Sequence, residues 1–377
     1  MPVIKVWLEI KTKILAFGII CTMCVTSCIE LEPGPHVENT NIIISPGDII
    51  IPSDDLIVHI PTSSDTLNVI MADSISVMGG SPKIKPIRSS APYSEFIVFG
   101  IGKGGRHGIS SGIYKCDSEF SKCDLLSSKD KFLAAVNFSS DDQIVALEKS
   151  SDPSRTTSDW SISLFDTNGL KTYDFELDVN STYKYTTVDY DPDVKMVVCA
   201  YLNEEDPYKS GYVIFNIESG EKVLVENKPP SIDRTDFIRD RNIILITDFY
   251  TRTIEIFNVQ TNTEDFSFTL GPRSDILSGF SAHVVDDRLV TFDKDKIISF
   301  DLENFQSSYT HTDFNIRYMN TQDCRVWVRS YPDVESSNNC TIDTFIGFNI
   351  RDKSISYRLN PCIPNYTYKS TVFVSLD

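Results

Sequence analysis

Ser161-Ile-Ser-Leu-Phe-Asp-Thr-Asn-Gly-Leu170 is the stretch on which the reading of this chain turns. An apolar run ends in Phe-Asp, a polar turn follows, and a second strand-like run, Lys171-Thr-Tyr-Asp-Phe-Glu-Leu177, comes next. Variants recur downstream: Tyr212-Val-Ile-Phe-Asn-Ile-Glu-Ser-Gly220, Ile254-Glu-Ile-Phe-Asn-Val-Gln-Thr-Asn262, Lys296-Ile-Ile-Ser-Phe-Asp-Leu-Glu-Asn304 and Thr344-Phe-Ile-Gly-Phe-Asn-Ile-Arg-Asp352. Phe165, Phe215, Phe257, Phe300 and Phe348 are separated by 50, 42, 43 and 48 residues. Self-similarity at this period in strand-rich units points to propeller blades.

Another short apolar run precedes each Phe-Asp or Phe-Asn strand, and an alternating run follows it. Runs such as Met196-Val-Val-Cys-Ala200 and Ile243-Ile-Leu-Ile246 are apolar on both faces, whereas Glu264-Asp-Phe-Ser-Phe-Thr-Leu270 and Ser354-Ile-Ser-Tyr-Arg-Leu359 alternate as half-exposed strands do. A blade needs this gradient, because its inner strands are packed between neighbours and its outermost strand meets water. Thr167-Asn-Gly169 and Glu218-Ser-Gly220 supply hairpin turns. No apolar stripe of helical period runs for ten residues or more. The expected fold is therefore all-β, a propeller of four-stranded antiparallel blades.

Six groups stand out. A seventh is assembled from both ends, with 48–51, 56–60 and 66–71 from the amino terminus and 370–375 from the carboxyl terminus, closing the ring and removing its open edges. Dividing the repeat region by seven falls inside the observed spacing and dividing by six falls outside it, so seven blades are preferred and six are the alternative.

The amino terminus carries a different signal. Lys11 and Lys13 precede an uncharged apolar run, 14–27, that is short for a membrane span and ends at Cys28. This is the layout of an export signal over 1–27. Val25-Thr26-Ser27-Cys28 resembles the bacterial lipobox, with Val for the commoner Leu and Ser for the commoner Gly or Ala. The resemblance implies lipidation of Cys28 and anchoring to the envelope, by outer-membrane lipid in the first instance. The segment 28–40 reads as an acidic, Pro-rich spacer, and 41–377 as a single propeller domain. Signal, lipobox and repeats together resemble the propeller-type envelope lipoproteins of Bacteroidota-like bacteria, a group that includes TolB-like six-bladed members. The Gly-rich segment Gly100-Ile-Gly-Lys-Gly-Gly-Arg-His-Gly108 departs from that group's pattern in having no Pro.

The formal charge is −18, and −20 without residues 1–27. So acidic a surface repels nucleic-acid phosphates and anionic lipid headgroups, which sets nucleic-acid binding aside. Gly100 to Gly105 satisfies Gly-x-Gly-x-x-Gly, but a loop and a strand follow where dinucleotide binding needs a helix. The segment reads as a long loop, and Lys103, Arg106 and His107 make it the most basic spot, a candidate grip for an anionic ligand or partner. Six cysteines follow Cys28, as in a protein of an oxidising compartment. Cys116 and Cys123 flank a hairpin turn and are a disulfide candidate, as are Cys324 and Cys340, which begin adjacent strand-like runs; Cys340 with Cys362 is the alternative. Cys199 reads as a reduced core residue. No cofactor is expected and no zinc spacing exists after the signal. Asp189, Asp191 and Asp193, read as three carboxylates in a turn, could bind calcium or serve as an acid and base, against the plainer reading of a solvated turn. The sequence thus points to a binding or scaffolding propeller for a protein or glycan partner. The alternative is a hydrolase or lyase of sugars or lactones with its site in the central channel, to be recognised by two carboxylates, or a His with an Asp, converging there.

Overall fold

A computed structural model describes residues between 43 and 375, apart from interruptions of which the longest are 72–82, 101–111, 151–159, 272–279, 331–339 and 365–373. Chain contacts separate Met1–Thr40 from one compact unit, Asn41–Asp377. The described residues of that unit are almost wholly strand and turn. They form seven antiparallel sheets of at least four strands, together with one two-stranded ribbon, Cys340–Ile342 with Cys362–Pro364.

The Phe-Asp/Asn motif explains the repetition. Its aromatic lies on the third strand of a sheet and is buried in five of the sheets. Phe165 packs against Phe99 and Ile113, Phe215 lies in the cluster with Val145 and Trp160, and Phe257 lies with Val198 and Tyr212. Phe300 joins Ile243 and Ile256, and Phe348 joins Val285 and Val290. Every one of these clusters includes residues of the preceding sheet, so the motif's ring seals one blade to the one before it. The residue after the Phe builds the turn. Asp166 Oδ1 accepts from the backbone N–H of Asn168 and Leu170 at 2.9 and 2.8 Å. Asn216, Asn258 and Asp301 do the same for the second and third residues beyond them. Asp and Asn combine that reach with a strong acceptor. Gly169 and Gly220 take positive φ, +83° and +72°, which closes the turn. A bulge next to the Phe, at Leu164/Phe165, Ile256/Phe257 and Gly347/Phe348, bends the strand into the turn.

Within each sheet the burial follows the expected gradient. Ile243–Asp248 is buried along its whole length, while Thr263–Thr269 alternates at its inner half and is exposed at its start. From the third sheet to the seventh the first strand lies innermost, because first strands of consecutive sheets touch: Asp189–Asp191 meets both Lys131–Ser140 and Ile232–Ile238, and Ala282–Val285 meets Ile316–Gln322; in the sheet that joins the chain ends Val374–Ser375 takes this place. In the fourth sheet this position is divided, with Tyr183–Tyr185 and Asp189–Asp191 both pairing Met196–Asn203. The two ends of the chain share a sheet, as expected. Val374–Ser375 pairs antiparallel with Ile49–Pro52, in register Ile50 with Val374, and also touches the inner strand of the preceding sheet. Ile50 packs with Ile84 and Phe96 of the next sheet, so the array joins head to tail. The molecule is a β-propeller.

Candidate ligand site in the central channel

The innermost strands differ from the other three in composition. Ile232-Asp-Arg-Thr-Asp-Phe-Ile238 carries four successive polar residues, and past its bulge strand alternation puts Arg234 and Asp236 on one face and Thr235 and Phe237 on the other. Four consecutive inner strands turn such faces toward a single cleft of about 540 Å³. Its lining includes Asn137 from Lys131–Ser140, Asp189, Arg234 and Asp236, His283 and Val284, and the turn residues Arg239, Asp240 and Asp286.

Polar side chains stitch these strands together. Asp189 accepts from Phe237 N at 2.7 Å on one oxygen and from Tyr190 N at 2.8 Å on the other. Thr187 and Thr235 hydroxyls bond at 2.8 Å across the same pair of blades. Arg234 Nε forms an ion pair with Asp236, and its Nη1 donates to the Ala282 carbonyl at 3.2 Å. His283 Nε2 lies 3.2 Å from the Met319 carbonyl. A carbonyl only accepts, so Nε2 carries the proton and Nδ1 is left to accept from Arg234 Nη1 at 3.3 Å. Sequence separations of 48 or 49 residues for the Asp189, Thr187 and Arg234 bonds match the blade period, so each bond links one inner strand to the next.

The electrostatics follow from enclosure. Burial, and then the neighbouring Asp236 charge, push the Asp189 carboxyl up to about 8; its two backbone donors and Arg239 act the other way. Burial and the Arg234 charge hold the His283 imidazole well below its ordinary range. His283 is thus neutral with both nitrogens engaged, and Asp189 has both oxygens engaged. The groups facing the cleft with capacity for a ligand are Arg239, Asp240, Asp236 and Asn137.

The residues singled out in the sequence fall in several places. Cys28 and the loop residues Lys103, Arg106 and His107 lie outside the described residues, as does Cys324. Asp189 and Asp191 are not in a turn: they are an innermost strand, buried at 4% and 0% exposure, and only Pro192 and Asp193 turn. The plainer reading as a solvated turn holds for Asp193, which is exposed, and is corrected for Asp189 and Asp191. Alternating Asp-Tyr-Asp looks like a turn because channel-facing positions are polar. Asp191 Oδ1 caps Asp193 N at 2.9 Å, and among the described residues no three ligating side chains gather as a metal site would need. Cys116 and Cys123 sit opposite each other in register and are bonded. Cys199 is buried and free. Cys340 belongs to the separate ribbon, where it stands opposite Pro364, and Cys362 stands opposite Ile342 of the same ribbon; the pairing of Cys324 with Cys340 lies outside the described residues. Arg234, Asp236, Arg239 and His283 are not singled out in the sequence. The available signal was a short run containing polar residues upstream of an apolar strand, as in Asp189–Asp191 and Ile232–Ile238.

No protein-family model matches the chain and no curated protein matches it in sequence. Solved structures do resemble it in fold. The periplasmic gluconolactonase PpgL of Pseudomonas aeruginosa is 11% identical with a TM-score of 0.51, over 84% of this chain and 97% of that one. The dihydro-heme d1 dehydrogenase NirN is 12% identical with a TM-score of 0.47, over 89% and 76%. The β-propeller domain of the trilobed protease of Pyrococcus furiosus is 13% identical with a TM-score of 0.44, over 61% and 71%. Enzymes are among these neighbours, and at such identities the likeness is one of fold, the β-propeller.

Proposed function

We propose that this chain is a binding propeller whose central channel takes a small polyhydroxylated ligand, of the kind presented by a glycan, and that the protein is exported and held at the cell envelope by lipid on Cys28. One observation supports the ligand reading above all: four successive inner strands bring guanidinium, carboxylate and amide groups to one cleft. Phe138, Phe237, Ile238, Leu245 and Val284 also line the cleft, and mixed donors and acceptors beside apolar surface suit the hydroxyl groups and ring faces of a sugar. The bonded pair Cys116–Cys123 suits an oxidising compartment and so favours export.

Convergence of Asp189, Asp236 and His283 in the channel is what a hydrolase or lyase of sugars or lactones would also require. The binding reading is preferred because His283 and Asp189 already spend their donors and acceptors on neighbouring strands. A general base must instead reach its substrate's proton.

Isothermal titration of the purified protein against neutral and acidic monosaccharides tests the reading. Saturable binding at one site without turnover is expected. Absence of binding across the panel would sink it, and product formation would move the assignment to the enzymatic alternative. Lipid labelling that survives in a Cys28→Ala variant would refute the anchor.

A further inference from the structure

Of the two arginines lining the cleft, Arg234 is committed to Asp236, Ala282 and His283. Arg239 is not committed. It is half-buried, opens the short 3-10 helix Arg239–Arg241 at the end of an inner strand, and its guanidinium has no hydrogen-bond or ion-pair partner among the described residues. Elsewhere in this acidic chain arginines find carboxylates: Arg241 with Asp287, Arg252 with Asp293 and Arg351 with Asp286. A partly desolvated guanidinium that makes no direct ion pair among the described residues, facing a cleft, favours an anion there, and its planar fork matches a carboxylate.

The rest of the lining limits which anion. Asp236 and Asp286 are already paired with Arg234 and Arg351, so among the described lining residues Asp240 is the carboxylate that adds negative charge beside Arg239. A phosphate dianion would meet that charge as repulsion, whereas one carboxylate is matched by one guanidinium. Beyond the carboxylate, Asp240 offers acceptors for hydroxyl donors, and the Asn137 amide, whose Oδ1 accepts from Phe138 N at 2.9 Å, offers its NH2 as a donor. We propose that Arg239 anchors the carboxylate of a monoanionic polyhydroxy acid, such as a uronic acid, while the acidic lining receives its hydroxyls. This rests on the channel reading above and gives it a ligand class.

Galacturonate and galactose differ at one carbon and serve as probes, titrated at pH 7 against the native protein and against Arg239→Gln, Arg239→Lys and Asn137→Trp. A charge-assisted pair corresponds to about a tenfold preference for galacturonate in the native protein. The Gln variant should abolish that preference and leave galactose affinity within about twofold, and the Lys variant should keep part of it. Melting temperatures of the variants establish that each is folded. Equal affinities in the native protein, or a galacturonate preference that survives in Arg239→Gln, overturn the proposal. If galactose binds and Asn137→Trp blocks it, but no acid preference exists, Arg239's role alone fails. If Asn137→Trp leaves all binding intact, the channel reading fails with it.

Discussion

Asp189 shows how one residue's reading changes between sequence and structure. Its acidic neighbours suggest a wet turn, yet it ends buried, fastening two inner strands. Because its carboxyl is raised from 3.8 to about 8, the unfolded chain loses the proton first as pH rises. The folded state then binds more protons than the unfolded one, and stability falls between about pH 4 and pH 8 and is level outside that window. Asp189→Asn removes this titration. Relative to the native protein, the variant should gain at least about 1.4 kcal/mol between pH 5 and pH 8, the equivalent of one unit of pKa displacement. Urea midpoints at the two pH values measure it, and parallel profiles would show that Asp189 titrates normally. Arg239 was equally hidden in the sequence: an arginine's lack of partners is a fact of three dimensions, and nothing in a string of residues reports it.

At the scale of the strand, legibility followed hydrophobicity. The second and third strands of each blade were readable because both faces are buried, and the fourth because one face is wet. The first strand was not, because a strand lining a channel carries polar residues among its apolar ones, as in Asp189–Asp191 and Ile232–Ile238, which dilutes the apolar pattern. The site was missed for the same reason, since it is built on those strands. Cys116 and Cys123 illustrate the readable case: seven residues apart across a hairpin, they fall opposite each other once strand pairing is known. A Cys116→Ala, Cys123→Ala double variant should lose about 2–3 kcal/mol, mostly through the freedom returned to the unfolded chain. Denaturant unfolding under non-reducing conditions checks this, and an unchanged midpoint would mean that the bond constrains nothing.

For the molecule as a whole, the period of the Phe-Asp/Asn motif and the strand-like runs at both ends were enough to anticipate a closed array. Each Phe seals a blade to its predecessor, and the pairing of Val374–Ser375 with Ile49–Pro52 joins the last to the first. What this array encloses was not legible, because the cleft is shared by four blades and no single repeat contains it. Hydrogen exchange with and without saturating galacturonate tests the account most directly. It predicts added protection in peptides covering 232–240 and 282–286, the strands and turns that line the cleft. Protection that appears instead at 203–211 and 248–253, between second and third strands, would place the ligand elsewhere and contradict the account.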